Sequence, residues 1–387
     1  MPISFTLPLD DLMSRAPSIG ILSTFPPTAC GLATFSAALA AGLSAHGAKV
    51  SVVRVGDDIS GSTGPVIGEL VNGSPVSVAG CSDLLNRSDV ALVQHEYGLF
   101  GGEDGDEVLA ILAGLRIPSI VIAHTVLTNP SSHQRSVLVE VADMADRVVV
   151  MSEAARDRLC GRFEVDPRKV VTIPHGAVVP KRTSLARNVG RPTLLTWGLI
   201  GPGKGIERVV DAMASLRDLP VQPRYLVAGR THPKVLAVHG EAYRQARMTQ
   251  ASRIGISDSV TFDATYRDVA SLTALIQTSA VVVLPYDSKE QATSGVLVDA
   301  IAAGKPVVAT AFPHAVELLS GGAGILVDHD DPDAMSNALR RVLVEPGLAH
   351  RMAAEASRLA PHMGWPVISR AYQRLATHLL TERPVLV

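Results

Sequence analysis

Short runs of aliphatic and β-branched residues alternate with amphipathic stretches along the chain, a pattern typical of parallel strands joined by crossover helices. In the first half, this pattern predicts strands at 18–23, 49–55, 90–94, 119–123, 147–151 and 169–173. It predicts helices at 31–46, 106–115, 131–145 and 152–162. The first half therefore has the pattern of an α/β domain.

A polar, basic and turn-forming stretch, VVPKRTSLARNVGRP, interrupts this series and is interpreted as a linker. The series then restarts with strands at 193–197, 224–228, 259–263, 280–284, 306–310 and 324–327, and later helices at 333–344 and 348–359. Two such series predict two doubly wound domains, 1–185 and 190–362. Periodicity alone does not assign the last segment, 365–381, to either domain.

Composition and charge argue against several broad classes of protein. The 387 residues are 47% hydrophobic and 19% charged, with a net charge of −2, which excludes a disordered chain and argues against a general nucleic-acid binder. Three cysteines at unrelated spacings favour a reducing, cytoplasmic location. The N-terminal stretch does not resemble a signal peptide, and no uncharged apolar run approaches the roughly 18 residues of a membrane span.

Ligands of open α/β sheets bind at the carboxyl ends of the strands, so the loops there are the first candidates. The loop FPPTACGLATF follows the first predicted strand, and its Gly31 opens a helix whose N-terminal amides could bind an anion or a sugar hydroxyl. An ordinary strand-to-helix turn is the alternative interpretation.

A second loop, in TLLTWGLIGPGKGIERVV, combines Gly198, Gly201, Gly203 and Gly205 with Lys204. Glycines let backbone amides approach a ligand closely, and a lysine adds a point charge, which suits a diphosphate. The segment satisfies GxxxxGK, but glycine replaces the following Ser or Thr of a P-loop, so the magnesium-binding hydroxyl is missing. A structural glycine turn is the alternative here.

A third loop, in AVVVLPYDSKEQATSGVLVDAIAAGKPVVAT, leads into a helix predicted to begin near Thr293 or Ser294. Its first turn offers free N–H groups to an anion. Asp299 lies about one and a half turns further on and can reach hydroxyls near that helix end. Gln291, just before the helix, could bind sugar hydroxyls without adding charge.

Together these motifs resemble family 4 (group 1) of the retaining glycosyltransferases. DAIAAGKPVVAT, with Gln291 eight residues before Asp299, is similar to the family's E-x7-E signature. GLIGPGKG resembles its glycine-rich loop, FPPTACG its N-terminal glycine loop, and VVTIPHGAV the turn that closes its first domain. The matches run in the family's order from residue 18 to about 345.

The resemblance implies a GT-B fold: two facing Rossmann-like domains, the first on the acceptor side, the second holding a nucleotide-sugar, and a last helix that crosses back to the first. It implies that Lys204 neutralises the donor diphosphate, Asp299 holds the ribose hydroxyls, Gln291 contacts the transferred sugar and His124 is the active-site histidine. The remaining predicted donor-binding residues are Gly31, Gly201, Gly203, Arg230, Thr231, His232, Glu290, Ser294, Gly295 and Val296.

Three departures from the family pattern affect the predicted site. Leu199 stands where the family has arginine, so a positive charge is missing unless Arg230 replaces it. Gln291 and Asp299 replace the two glutamates, which changes the expected sugar contacts. The presence of Glu290 and of the family lysine, Lys204, argues against a catalytically inactive protein.

Other residues have both functional and structural interpretations. His95, Glu96 and Tyr97 end a predicted strand, where they could bind an acceptor or serve the fold. VDHDDPDA contains Asp-x-Asp, but Asp331 before Pro332 is better interpreted as a helix N-cap. No metal and no cofactor beyond the donor substrate are expected.

The leading hypothesis is a cytoplasmic retaining transferase that moves a hexose, mannose or glucose, from a nucleoside-diphosphate sugar such as GDP-mannose or UDP-glucose. The acceptor would be a hydroxyl of a saccharide or glycoside. The alternatives are a nucleotide-dependent phosphotransferase and an inactive sugar-nucleotide-binding homologue. The sequence leaves the oligomeric state open.

Overall fold

The computed structural model describes residues 16–56, 64–181 and 190–382. The chain divides into two compact units. Unit 1 comprises Met1–Gly176 and Trp365–Val387, and unit 2 comprises Ala177–Gly364. Residues 182–189 of the predicted linker lie outside the described residues.

Unit 1 contains a seven-stranded parallel sheet with the order β3-β2-β1-β4-β5-β6-β7. Its strands are β1 Ile19–Ser23, β2 Val50–Val55, β3 Val66–Leu70, β4 Val90–His95, β5 Ser119–Ala123, β6 Arg147–Val150 and β7 Val170–Thr172. Its helices are α1 Gly31–Ala45, α2 Pro75–Leu85, α3 Glu107–Ala113, α4 Ser132–Met144, α5 Glu153–Arg162 and the C-terminal α14 Trp365–Glu382.

Unit 2 repeats this plan with a six-stranded sheet in the order β10-β9-β8-β11-β12-β13. Its strands are β8 Thr193–Trp197, β9 Arg224–Ala228, β10 Val260–Asp263, β11 Val281–Leu284, β12 Val307–Thr310 and β13 Gly324–Val327. Its helices are α6 Ile206–Ala214, α7 Pro233–His239, α8 Ala242–Arg253, α9 Val269–Thr278, α10 Gly295–Ala302, α11 Pro313–Leu319, α12 Ala334–Val344 and α13 Leu348–Met363.

The α/β fold of two Rossmann-like sheets with a returning helix is confirmed. In unit 1 the sequence analysis missed two elements, the edge strand β3 and helix α2. The interpretation of Asp331 as an N-cap is wrong: α12 begins after Asp333, and the Asp331 carboxylate accepts a hydrogen bond from the Asp333 amide at 2.9 Å instead. A carboxylate two residues before an amide forms such a turn without a helix.

The C-terminal helix α14 packs on α1 within unit 1. Ile368, Tyr372 and Ala376 of α14 are buried in the same apolar cluster as Leu39 and Leu43 of α1. Gly42 lets the helices approach closely, because a Cβ there would lie 2.5 Å from the Ser369 hydroxyl oxygen. None of the described helices is long and apolar enough to cross a membrane.

In both sheets the strand order reverses beside the first strand of the unit, between β1 and β4 and between β8 and β11. Such a reversal opens a crevice at the carboxyl ends of the strands, where open α/β sheets bind ligands. The loops singled out in the sequence follow β1, β8 and β11, so the topology places them at these two reversals.

Candidate functional site

In unit 2 the glycine-rich loop after β8 is bonded to the loop after β11. The Asp287 amide donates to the Gly203 carbonyl at 3.0 Å. Gly205 has a φ of +61°, and a Cβ there would lie 1.7 Å from the Pro285 carbonyl oxygen. Only glycine permits both this backbone conformation and this approach, so the loop that carries Lys204 has a defined position.

Lys204 extends over an aromatic ring from the second loop. Its Nζ lies 4.6 Å from the centroid of Tyr286, which in turn stacks on Phe312 at 5.4 Å. Burial lowers the pKa of the Lys204 ammonium, and no neighbouring charge contributes to that shift. The half-buried ammonium has no carboxylate partner among the described residues, and an anionic ligand would stabilise its charge.

Helix α10 begins near the loop that carries Lys204, since a Cβ at Gly198 would lie 3.9 Å from the Val296 side chain. The Ser294 side chain caps it by accepting from the Leu297 amide at 3.3 Å. Gly295 and Val296 are its first two helical residues, whose N–H groups have no acceptor within the helix. Burial raises the pKa of the Tyr286 phenol, and the nearby Ser294 side chain offsets part of that rise. The predicted Lys204 and α10 sites therefore meet at Tyr286.

Asp299 lies on α10, and burial raises the pKa of its carboxyl from 3.8 to about 7. Close to neutral pH it can thus accept hydrogen bonds as a carboxylate or donate one as an acid. Gln291 is half-buried, and its side-chain amide donates to the Thr293 carbonyl at 3.1 Å. The Glu290 amide donates to the Ser288 hydroxyl at 3.2 Å, which shapes the same loop.

The loop after β9 carries three predicted donor-binding residues, and two have structural partners. The Thr231 hydroxyl donates to Glu241, and the His232 ring accepts from the Lys234 amide as the N-cap of α7. Arg230 is exposed, with its guanidinium 5.4 Å from the centroid of the Tyr266 ring. Leu199 stands where the family has arginine, and it stays a prediction that the Arg230 guanidinium supplies the missing positive charge.

In unit 1 the corresponding edge carries three histidines. Burial lowers the pKa of His124 to about 3, and the neighbouring His175 and His95 add to the decrease. Burial lowers the pKa of His95 and that of His175 to about 4 each. All three rings are therefore neutral at physiological pH.

His124 has a defined tautomer. Its Nε2 forms a hydrogen bond with the side-chain oxygen of the fully buried Gln94. Because an amide oxygen only accepts, Nε2 carries the proton and Nδ1 is left as the acceptor. The His124 ring also lies edge-on to Phe35, 5.0 Å between centroids.

The predicted acceptor residues His95, Glu96 and Tyr97 end β4 beside this histidine. Both ring nitrogens of His95 and the Tyr97 hydroxyl are buried without a hydrogen-bond partner among the described residues. The Glu96 carboxylate accepts from the Thr125 hydroxyl at 2.6 Å. Buried polar atoms that lack partners are the groups that a hydroxylated ligand would satisfy.

Gly31 is also at this edge, as the exposed first residue of α1, and so belongs to unit 1 while Lys204 belongs to unit 2. Elsewhere in unit 1, Glu103, Asp104 and His133 place three potential metal-ligand atoms within 4.8 Å of one another. We assign this cluster no metal, because the Asp104 carboxylate oxygens are hydrogen bonded to His133 and Gln134, each at 3.1 Å.

Sequence reasoning missed several residues that hold the site: Gln94, His175, Tyr286, Phe312 and His314. Two of them carry a signal that could have been used. His175 stands inside the quoted IPHG turn, and Tyr286 follows the strand that leads into the third loop. Gln94 and His314 give no local signal, because their partners are 30 and 20 residues away along the chain.

Comparisons with known proteins identify the family of the chain. Residues 180–359 match the family described as glycosyl transferases group 1, and residues 29–179 match glycosyltransferase family 4. The D-inositol 3-phosphate glycosyltransferase of Rhodococcus jostii is 29% identical over 238 residues, 58% of this chain and 51% of that protein. The chain thus spans about half the length of the curated relatives it matches.

Solved structures show the same fold at low sequence identity. Sucrose-phosphate synthase of Thermosynechococcus elongatus superposes with a TM-score of 0.74 at 20% identity, covering 95% of this chain and 100% of that one. Anabaena HepE, solved with UDP and glucose, gives 0.73 at 16% identity, covering 93% and 100%. With the two family matches covering both units in order, the chain belongs to the group 1 (family 4) glycosyltransferases.

Proposed function

We propose that the protein is a retaining glycosyltransferase that moves a hexosyl group from a nucleoside-diphosphate sugar to a hydroxyl of a saccharide or glycoside. The observation that carries this proposal is the half-buried Lys204 ammonium, which lies over Tyr286 and has no carboxylate partner among the described residues. A diphosphate supplies the negative charge that this place lacks.

Unit 2 would bind the donor through separate groups. Lys204 and the free amides of Gly295 and Val296 would bind the diphosphate, since helix N-termini attract anions. Asp299 would accept hydrogen bonds from the ribose hydroxyls, which would favour its ionised form. Gln291 would contact the transferred sugar through its remaining amide oxygen.

Unit 1 would supply the acceptor chemistry. Its neutral histidines, Tyr97 and Glu96 offer hydrogen-bonding groups that suit the hydroxyls of a sugar or a glycoside. His124 has Nδ1 available as an acceptor, because Gln94 binds the proton on Nε2. We keep the predicted role of His124 toward the transferred sugar as part of this proposal.

Retention follows from where the charge develops. As the bond between the sugar and the diphosphate breaks, negative charge grows on the leaving phosphate oxygen, and that oxygen can take the proton of the attacking hydroxyl on the same sugar face. Lys204 and the α10 amides would stabilise this charge, so the step needs preorganised positive charge more than a protein base.

The proposal draws on the comparisons for the first donor to test. HepE was solved with UDP and glucose, which makes UDP-glucose the first choice and GDP-mannose the second. The relatives' name gives D-inositol 3-phosphate as an acceptor to try beside unphosphorylated sugars. The described cysteines form no disulfide, and we propose a reducing, cytoplasmic location.

A donor and acceptor screen tests this function. The protein is incubated with UDP-glucose or GDP-mannose and with methyl glucoside, myo-inositol or D-inositol 3-phosphate, and the products are identified by mass spectrometry and proton NMR. We expect nucleoside diphosphate release with an α-linked product and without a need for ATP. Turnover of nucleoside triphosphates with strict magnesium dependence would instead support a phosphotransferase.

A further inference from the structure

The loop Gln291–Ser294, which leads into α10, is attached to a stretch of chain that the motifs and the family resemblance include only at its first residue, Thr310. This stretch, Thr310–His314, joins the end of β12 to the start of α11, and we call it the brace. Its contacts with the candidate donor site occur at three successive alternate positions.

The first two contacts fix Tyr286, the ring beneath Lys204. The buried Thr310 hydroxyl donates to the Tyr286 carbonyl at 2.7 Å. The Phe312 ring, also fully buried, stacks on the Tyr286 ring at 5.4 Å with 27° between planes. The brace thus holds both the backbone and the side chain of the residue that positions Lys204.

The third contact is made by His314, which is 2% exposed. Its backbone amide donates to the Gln291 carbonyl at 3.3 Å, and its ring Nδ1 accepts from the Ser294 amide at 2.9 Å. One residue therefore holds both ends of the four-residue loop. The second bond requires an unprotonated Nδ1, because a backbone N–H can only donate.

We propose that His314 is a positioning residue for the donor diphosphate: it sets the orientation of Ser294, and through it the direction of the free α10 amides. This inference rests on the proposed function. Its physical basis is that anion binding by amides depends on their direction, and Ser294 is the cap from which the helix starts. His314 itself touches the protein and not the donor.

Two polar replacements separate the role of Nδ1 from that of a buried polar side chain. His314→Asn places an amide oxygen near the position of Nδ1 and keeps an acceptor for the Ser294 amide. His314→Gln places its polar group further out, near the position of Nε2, and loses that acceptor. Leu319→Ala is the matched control, because Leu319 is a buried residue of the same helix with no hydrogen bond to the loop.

The affinity for UDP and for GDP is measured by titration calorimetry on the full chain, together with the donor KM and kcat and the melting temperature. We expect His314→Gln to raise the UDP or GDP Kd and the donor KM about tenfold, with a smaller change in kcat. His314→Asn should stay within about threefold of the wild type, and Leu319→Ala should lower the melting temperature while leaving Kd unchanged.

The inference is wrong if His314→Gln binds the nucleotide as tightly as the wild type, or if His314→Gln and His314→Asn lose affinity equally. If His314→Gln does not fold, nucleotide affinity is compared between His314→Asn and Thr310→Val. Retained affinity in His314→Asn together with lost affinity in Thr310→Val would support the positioning role of the brace. Any other pair of results would overturn it. A wild-type protein that binds neither nucleotide would refute the proposed function itself.

Discussion

The carboxyl edges of the two sheets occupy equivalent places in two similar folds and have different chemistry. The unit 2 edge presents a half-buried ammonium, Lys204, and the start of helix α10. The unit 1 edge presents three histidines whose pKa values burial lowers to about 3 or 4. The comparison teaches that two sheets with the same kind of strand-order reversal can carry different chemistry, because the side chains of the loops at their strand ends differ.

The largest expected effect comes from removing the ammonium of unit 2. Lys204→Met keeps most of the aliphatic chain over Tyr286 and removes the charge. We expect kcat/KM for the donor to fall about 100- to 1000-fold, the range found when one preorganised stabilising group is removed from an active site. Steady-state kinetics with the donor identified in the screen provides the measurement.

Lys305→Met is the matched control. Lys305 is also a half-buried lysine of unit 2, but its ammonium donates to the carbonyls of Gln277 and Ser279, before the start of β11. This variant should lose stability and keep its kcat/KM. Equal losses of kcat/KM in the two lysine variants would show that the effect is not specific to the lysine at the carboxyl edge of the unit 2 sheet.

The next effect concerns Asp299, because burial raises the pKa of its carboxyl from its ordinary value of 3.8 to about 7 in the folded protein. Because the folded state binds the extra proton between these values, stability falls as pH rises through that window. Asp299→Asn should therefore raise the melting temperature relative to wild type at pH 8 and much less at pH 4.

Nucleotide binding should lower the pKa of the Asp299 carboxyl, since hydrogen bonds from the ribose hydroxyls favour the carboxylate. We expect binding at pH 6.5 to release fewer protons from Asp299→Asn than from the wild type, with donor KM raised about tenfold in the variant, as for loss of a hydrogen bond to a charged group. Calorimetry in buffers of different ionisation enthalpy measures the proton. Unchanged proton release in the variant would show that Asp299 is not the linked group.

A smaller effect is expected from the tautomer of His124 in unit 1. Gln94→Leu removes the acceptor that holds the proton on Nε2, so we expect kcat to fall about five- to tenfold, the size of one net hydrogen bond, while nucleotide affinity stays constant. Gln373→Leu on α14, which removes a hydrogen bond to the carbonyl of His46 at the end of α1, serves as control. A change in nucleotide affinity in Gln94→Leu would place His124 in diphosphate binding instead.

The smallest expected effect is the protonation of the three unit 1 histidines near neutral pH. His95, His124 and His175 should stay neutral above about pH 5, so an NMR titration of their ring protons should show no charging between pH 5.5 and 8. Since their pKa values are lowered on folding, they reduce stability as pH falls below about 6.5. A titration of any of the three near pH 6.5 would contradict the burial of this cluster.

Much of the fold was predictable because buried parallel strands are short β-branched runs between turn residues. The strands at 119–123, 193–197, 224–228 and 324–327 have the bounds that the sequence predicts. Strand β3 was missed because Gly68 interrupts VIGEL and its exposed residues dilute the pattern of an edge strand. Helix α2 follows the Ser74-Pro75 pair, a start signal that went unused.

The site was predictable only as far as its motifs are local. Lys204 and Ser294 could be found because glycines and a helix start surround them in the sequence. The brace could not be found in this way, because the contact of His314 with Ser294 depends on where β12 ends beside β11. The side-chain partner of Thr231, Glu241, likewise appears only once the start of α8 is placed.

The central claim is that the edge of unit 2 binds the diphosphate of a sugar nucleotide through Lys204. Titration calorimetry with UDP and UMP, and with GDP and GMP, on wild type and Lys204→Met tests it most directly. We predict that the diphosphate of one pair binds the wild type at least about tenfold more tightly than its monophosphate, about 1.4 kcal/mol, and that Lys204→Met abolishes this difference. An equal preference for the diphosphate in both proteins would contradict the claim.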